Sequence, residues 1–261
     1  MAEDYIIEFE DTWKEFGDNQ VHAGINLKVR RGETISLIGG SGEGKSVFLK
    51  QIVGLYKPEQ GRILIDGQDI VRFGERRMMQ IRKRIGYLFQ GGALFDSLTV
   101  AENVAYPLRE RYREMKEKEV QKVVMEKIEM VGLEPRMANL MPVQLSGGMK
   151  KRAALARACA TDPEIILWDE PTIELDPTNV RRIVALIKEL RTSREGKPIT
   201  SIAVTHDMES IFQFSDRIAM LYDKKIIAVD TVERMQNSEI KVVRDFIHGY
   251  MRRGEVENGQ E

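Results

Sequence analysis

Glu33-Thr34-Ile35-Ser36-Leu37-Ile38-Gly39-Gly40-Ser41-Gly42-Glu43-Gly44-Lys45-Ser46-Val47-Phe48-Leu49-Lys50-Gln51-Ile52-Val53 is the stretch whose reading decides the fold. Its middle, Gly39–Ser46, spells G-x-x-x-x-G-K-S, a phosphate-binding loop. An apolar run precedes it and reads as a strand; the run from Val47 to Val53 reads as a helix. A glycine-rich turn that merely happens to precede Lys-Ser is the competing reading, and the flanking strand and helix weigh against it. The residue types suit the chemistry. A phosphate chain needs several donors at close range, so the backbone must approach it; glycine removes the Cβ and permits positive φ. The helix that follows directs its first N–H groups at the anion. Lys45 has the reach for the β- and γ-phosphates, and the Ser46 hydroxyl is a Mg²⁺ ligand type. Gly39, Gly40, Ser41, Gly42, Glu43, Gly44, Lys45 and Ser46 are therefore candidate nucleotide-binding residues.

The chain as a whole is compatible with one sizeable domain or two intimate subdomains. It has 261 residues, 42% hydrophobic and 31% charged. Forty Lys and Arg stand against 41 Asp and Glu, so overall charge gives no sign of a nucleic-acid or membrane-surface binder. The lone cysteine, Cys159, sits in an Ala-rich segment and reads as a small core residue in a reducing compartment. The acidic start Met1-Ala2-Glu3-Asp4 has no apolar run behind it, so no signal peptide is expected. No run reaches the ~18 apolar residues that would span a bilayer. The expectation is a cytoplasmic chain whose membrane role, if any, comes through a partner.

Working outward, Tyr5–Phe9 and Ile25–Val29 read as strands, with Phe16-Gly17 in the loop between them. The flat ring of Phe16 is a candidate platform for a nucleobase; Trp13 competes for that role. Arg62–Gly67 reads as a strand with an Asp-Gly turn, and Ile85–Gln90 as a strand ending at a glutamine before the breaker Gly91-Gly92, a hinge. Between about 100 and 160 the texture turns helical. Thr99 is a cap; Val120, Val123, Val124, Ile128 and Val131 repeat at helical spacing beside a charged face. Leu145-Ser146-Gly147-Gly148-Met149 opens another helix and is a candidate second anion site through Ser146, Gly147 and Gly148, although an ordinary capped helix would read the same way.

Ile165-Ile166-Leu167-Trp168-Asp169-Glu170 reads as a buried parallel strand delivering two carboxylates at its C-terminal end, where open α/β sheets bind ligands. Successive strand residues face opposite ways, so the two have different work. Asp169 is the candidate Mg²⁺ carboxylate and Glu170 the candidate group that orients and polarises water. Leu175-Asp176-Pro177 leads into a helix over 178–193. Ile199–Thr205 is a further strand ending at His206, placed for the γ-phosphate; His22 and His248 read as incidental. Ile218–Tyr222 and Ile226–Val229 form a hairpin, Val242–Met251 a short helix, and Arg252–Glu261 a frayed polar tail.

Taken together, Gly39–Ser46, Gln90, Leu145–Met149, Ile165–Glu170, Leu175-Asp176 and His206 resemble, in order and spacing, the motifs of the ATP-binding-cassette (ABC) ATPases. The resemblance covers nearly the whole chain. It implies an α/β fold: a phosphate-loop NTPase (RecA-like) core with an antiparallel β subdomain and an inserted α-helical subdomain. Mapped onto this chain as one domain over 1–261, that puts the core with its β subdomain at about 1–95 and 161–240. The helical subdomain with the signature falls at 96–160, and the C-terminal helix and tail at 241–261. It further implies ATP and Mg²⁺ as ligands, with Ser46, Gln90 and Asp169 at the metal. Glu170, His206 and Lys45 would be catalytic. Two copies would pair head to tail, so that Ser146, Gly147 and Gly148 of one cover the γ-phosphate held by the other. Asp176 would communicate across that dimer and Gln90 would link the nucleotide to the helical subdomain.

A narrower resemblance, to the Mla-type ATPases, rests on Gly86–Val100, Glu102–Leu108, the signature ending in Met149 with Arg152–Ala158, and the Asp223-Lys224-Lys225-Ile226 turn. It implies phospholipid transport between the two membranes of a Gram-negative cell, from the cytoplasmic face of the inner membrane. The implied partners are an integral membrane permease, an MCE-domain lipid-binding protein and, in some systems, a small STAS-domain protein, with no nucleic acid. The alternatives are a cassette importing a small polar solute such as an amino acid, and a soluble ABC ATPase outside transport. Glu43 inside the loop, expected to face solvent, Met149 and Ile173-Glu174 depart from the family pattern.

Overall fold

The computed structural model describes residues 4–191, 196 and 198–258. In chain order its strands are β1 (Tyr5–Phe16), β2 (Asn19–Arg30), β3 (Thr34–Ile38), β4 (Gln60–Ile65), β5 (Gln68–Asp69), β6 (Ile85–Leu88), β7 (Ile165–Asp169), β8 (Thr200–Val204), β9 (Arg217–Tyr222) and β10 (Lys225–Thr231). The helices are α1 (Lys45–Ile52), α2 (Glu75–Arg82), α3 (Val100–Arg111), α4 (Glu117–Met130), α5 (Gly147–Ala158), α6 (Pro177–Glu189), α7 (Met208–Phe214), α8 (Val232–Gln236) and α9 (Lys241–Asn258). The chain forms two compact units, one of residues 1–81 with 200–261 and the other of 82–199.

In the first unit, β1 and β2 make a long antiparallel hairpin extended by β4 and β5, in the order β2-β1-β4-β5. The hairpin is longer than the two short runs suggested. Phe16 is the last residue of β1 and pairs with Asn19, so it stands on a strand rather than in a loop. Register shifts between Phe9 and Thr12 break the apolar alternation, which hid the continuation. One face of this sheet packs on α1, with the Phe9 and Phe48 rings stacked 4.1 Å apart. A second set of strands surrounds β3, which runs parallel to both β8 and β9, while β10 returns antiparallel to β9. All five residues of β3 and all five of β8 are buried, the hydroxyl residues Thr34, Ser36, Thr200 and Ser201 among them, as in strands covered on both faces. The C-terminal helix α9 continues to Asn258, well past the expected end near Met251. Residues 259–261 of the expected tail, and 192–193 of the helix expected over 178–193, lie outside the described residues.

In the second unit β6 and β7 pair in parallel, and α3, α4, α5 and α6 belong to the same unit. Thr99 caps α3: its hydroxyl accepts from the Glu102 N–H, and Glu102 reaches back to the Thr99 N–H at 2.8 Å. The Thr99 N–H and the Thr99 hydroxyl, both donating to the Glu102 carboxylate, hold that carboxyl below its usual range. Of the stripe read from the sequence, Val120, Val124 and Ile128 on α4 and Val131 just after it are buried, while Val123 is half-buried. Fully buried Asn103 on α3 organises the loop before it, donating to the carbonyls of Phe95, Leu98 and Thr99 and accepting from the Phe95 N–H.

Candidate functional site

Each unit gathers its own share of the candidate residues, and strand register explains how. In the first unit Leu37 of β3 pairs with Val204 of β8. The two strands are parallel neighbours, so Gly39–Ser46 and His206 leave the sheet at the same end. In the second unit Leu88 pairs with Trp168, so Gln90 and Glu170 leave adjacent parallel strands together. These are carboxyl ends of strands, where α/β sheets place their ligands.

The phosphate loop is built as its glycines demanded. A Cβ on Gly39 would lie 2.3 Å from the Leu221 carbonyl oxygen, so the loop can start here only without a side chain. Gly44, at φ 93, is the N-cap of α1, and a Cβ there would meet Val21 at 2.4 Å and His22 Nε2 at 2.9 Å. Lys45 is buried, and its ammonium donates to the carbonyls of Gly39 (2.8 Å) and Gly40 (2.7 Å). It is thereby held across the loop that its charge would share with a phosphate. Glu43 is half-buried rather than solvent-facing, its side chain folded back beside Gly40.

Of the two candidate base platforms, Phe16 is the more open, 41% exposed. Its ring meets Tyr56 edge-on at 4.9 Å and carries the Lys14 ammonium 4.7 Å from its centre. Trp13 is engaged elsewhere, its indole N–H donating to Asp11. His206 is exposed just before α7, and Asp207 caps that helix through the Ser210 N–H.

In the second unit Asp169 and Glu170 are both buried. Asp169 accepts from the Tyr87 phenol at 3.2 Å; burial first, then the Asp169 charge, push that phenol above its ordinary range. Glu170 has φ 52, a left-handed conformation unusual for a residue with a side chain. Its carbonyl accepts from the ammonium of buried Lys151, on α5, at 2.7 Å. Burial lowers the Lys151 pKa, and the charges of Glu174, Glu170 and Asp169 oppose that. Ser146 is the N-cap of α5 and accepts from the Met149 N–H at 3.3 Å, so the signature stretch is a capped helix start. Gly148 lies against Asn179, where a Cβ would come within 2.8 Å of the amide nitrogen. Asp176 caps α6 through the N–H groups of Thr178 and Asn179, and the Asn179 bonds hold its carboxyl below the usual range. The expected hinge at Gly91-Gly92 is clamped: Arg157 of α5 donates to the carbonyls of Gly92 and Ala93.

Lys151 and His22 are the residues that sequence reasoning missed. Lys151 lay within a helix pattern as one basic residue among several. His22 is fully buried behind the phosphate loop, though nothing near it in the chain marks a site.

A glycine cradle ahead of a helix, a lysine across it, and a strand ending in paired carboxylates define a phosphate-loop nucleotide-binding protein. Residues 22–173 match the ABC transporter family. The intermembrane phospholipid transport system ATP-binding protein MlaF of Haemophilus influenzae is 42% identical, over 94% of this chain and 90% of that one. A probable ribonucleotide transport ATP-binding protein, mkl of Mycobacterium leprae, is 40% identical over 93% of this chain and 69% of its own. Among solved structures, the dimeric post-hydrolysis state of the ATP-binding cassette MJ0796, bound to ADP and Pi, superposes with a TM-score of 0.80. It is 36% identical and covers 87% of this chain and 98% of its own. The chain belongs to the ABC transporter family. It has the fold of that family's ATPases, and ATP is the nucleotide it binds and hydrolyses.

Proposed function

We propose that this chain is the ATP-hydrolysing subunit of a transporter that moves phospholipid between the inner and outer membranes, working as a head-to-tail pair of copies. The observation that carries this reading is the 42% identity to the phospholipid-transport ATPase across almost the whole of both chains. The dimeric state of the MJ0796 cassette supports the pairing.

The proposed chemistry is attack of water on the γ-phosphorus of ATP, breaking the bond to the bridging oxygen and leaving ADP and phosphate. Phe16 stacks on the base. Gly39–Ser46 supply backbone N–H groups to the phosphates, and Lys45 places a cation beside the oxygens where charge accumulates. Glu170 takes the proton of the attacking water, and His206 donates to the γ-phosphate and holds that water. The Ser46 hydroxyl, the Asp169 carboxylate and the Gln90 amide oxygen are the hard oxygen donors that Mg²⁺ prefers, and the ion would neutralise phosphate charge. Ser146, Gly147 and Gly148 of the second copy cap the γ-phosphate, replacing water with fixed donors at a helix start. Asp176 carries information between the copies.

No described helix is long and apolar enough to cross a membrane. An integral permease is therefore the proposed membrane partner, with this chain peripheral on the cytoplasmic face of the inner membrane. An MCE-domain lipid-binding protein and a small STAS-domain protein complete the proposed complex. Phe95 and Tyr106, half-exposed with rings 4.9 Å apart in the segment after Gln90, are the proposed contact with the permease. The mycobacterial relatives favour a second reading, in which the cargo is a ribonucleotide. The test is to tag the Glu170→Gln variant, extract membranes in mild detergent with ATP, and identify what co-purifies. A permease, an MCE-domain protein and bound phospholipid are expected. A permease with a solute-binding protein, or recovery without any membrane protein, would overturn the phospholipid reading.

A further inference from the structure

His22 is fully buried, and both of its ring nitrogens face polar atoms of the phosphate-loop helix region. Nε2 lies 3.1 Å from the Gly44 carbonyl oxygen, and Nδ1 lies 3.0 Å from the Gln51 amide oxygen. The Gln51 amide nitrogen makes no hydrogen bond among the described residues. Exchanging the two ends of that amide lets Gln51 donate to Nδ1. Both ring nitrogens of His22 are then satisfied with the ring neutral and its single proton on Nε2, facing Gly44. Burial favours the same state, since it lowers the His22 pKa.

The Gly44 carbonyl already accepts the first helical bond, from the Phe48 N–H at 3.0 Å. His22 occupies its second lone pair. The described chain has no cis peptide bond. In a trans peptide the carbonyl and the following N–H point in opposite directions. Whatever fixes the Gly44 carbonyl therefore fixes the Lys45 N–H, and two donors on one carbonyl also polarise that peptide. The contact is close because position 44 is glycine: a Cβ there would stand 2.9 Å from Nε2.

We propose that His22 is a positioning residue of the phosphate loop, which by donating from Nε2 to the Gly44 carbonyl aims the Lys45 N–H at the bound phosphate. The inference rests on the phosphate-loop reading given above. It gives a purpose to a buried polar side chain on a strand whose other inward residues are mostly apolar.

The test uses two isosteric replacements. Glutamine carries its amide nitrogen where His Nε2 stands, whereas asparagine reaches only as far as Nδ1. His22→Gln should bind MgATP within about twofold of wild type. His22→Asn should raise the Kd about tenfold, the equivalent of one lost hydrogen bond of about 1.4 kcal/mol, with kcat at saturating ATP nearly unchanged. A role in stability alone would move the melting temperature of both variants and leave their Kd values alike, and that result overturns the inference. Nitrogen NMR of the wild-type histidine gives a second measurement that does not depend on any variant folding. The Nε2-protonated tautomer is expected, and the Nδ1-protonated tautomer overturns the proposal. Lys45→Ala keeps the two readings apart. If it binds MgATP normally, the phosphate-loop reading itself falls; if it loses binding while His22→Asn binds normally, only the His22 inference falls.

Discussion

Replacing Lys151 by methionine should slow ATP hydrolysis without weakening nucleotide binding. The reasoning starts at Glu170, whose backbone at φ 52 lies in the left-handed region. That conformation costs a residue with a Cβ about 1–2 kcal/mol. The Lys151 ammonium, only 5% exposed, donates to the Glu170 carbonyl at 2.7 Å. A buried hydrogen bond from a charged donor contributes about 1.5–3 kcal/mol. The bond and the strain are thus of similar size, and losing the first removes the margin that holds the second. The peptide then relaxes and the carboxylate is aimed elsewhere for most of the time. Methionine keeps the volume and removes a buried charge, so the variant should fold. At about 1.4 kcal/mol per decade, kcat should fall about 10–100-fold. The assay is phosphate release at saturating MgATP, paired with direct measurement of the nucleotide Kd, which should stay within about twofold. Lys151→Gln, which retains a donor, should recover part of the rate. If a folded Lys151→Met variant hydrolyses ATP at the wild-type rate, the bond does not position Glu170 and the reasoning is refuted.

Asn103→Ala removes a fully buried amide that donates to three carbonyls and accepts one N–H; unfolding in urea should show a loss of about 3 kcal/mol, and a loss below about 1 kcal/mol would contradict its role in holding the loop. Ser146→Arg puts a bulky cation at the start of α5; it should leave the nucleotide affinity of single copies intact and abolish ATP-driven pairing in size-exclusion chromatography, whereas normal pairing would count against the head-to-tail arrangement. His22 has a pKa lowered by burial, with Lys14 adding to the effect, so between its folded value and about 6.5 the unfolded chain binds more protons. Its contribution to stability is therefore complete above about pH 6.5 and is lost as the pH falls; urea midpoints should decline on going from neutral to acidic pH, less steeply in His22→Gln, and an equal slope in both would exclude His22 as the source.

Chemistry carried by contiguous residues was legible because such motifs work through local backbone geometry. Gly39–Ser46 needs only its own glycines and the helix start beside it. The buried strand β7 announced itself through the unbroken apolar run Ile165–Trp168, since a strand covered on both faces has no reason to alternate. Thr99 foretold the start of α3 because a helix cap acts within a single turn of its own residue. The hairpin β1–β2 was shortened in the reading because its register shifts break the period on which the reading depends. The end of α9 was missed because polar residues in its last turns carry no apolar stripe to count.

Partnership between distant residues was closed to the sequence. The 19 positions separating Lys151 from Glu170, and the 22 separating His22 from Gly44, are bridged only when strands and helices pack. The same holds for the clamp of Arg157 on Gly92, 65 positions away, which turned an expected hinge into a held segment. The sequence by itself determined the phosphate loop, the carboxylate strand and the class of chemistry, because each is written in neighbouring residues. Which side chains hold those groups in working geometry was decided by tertiary structure, because a buried donor finds its acceptor across the fold and not along the chain.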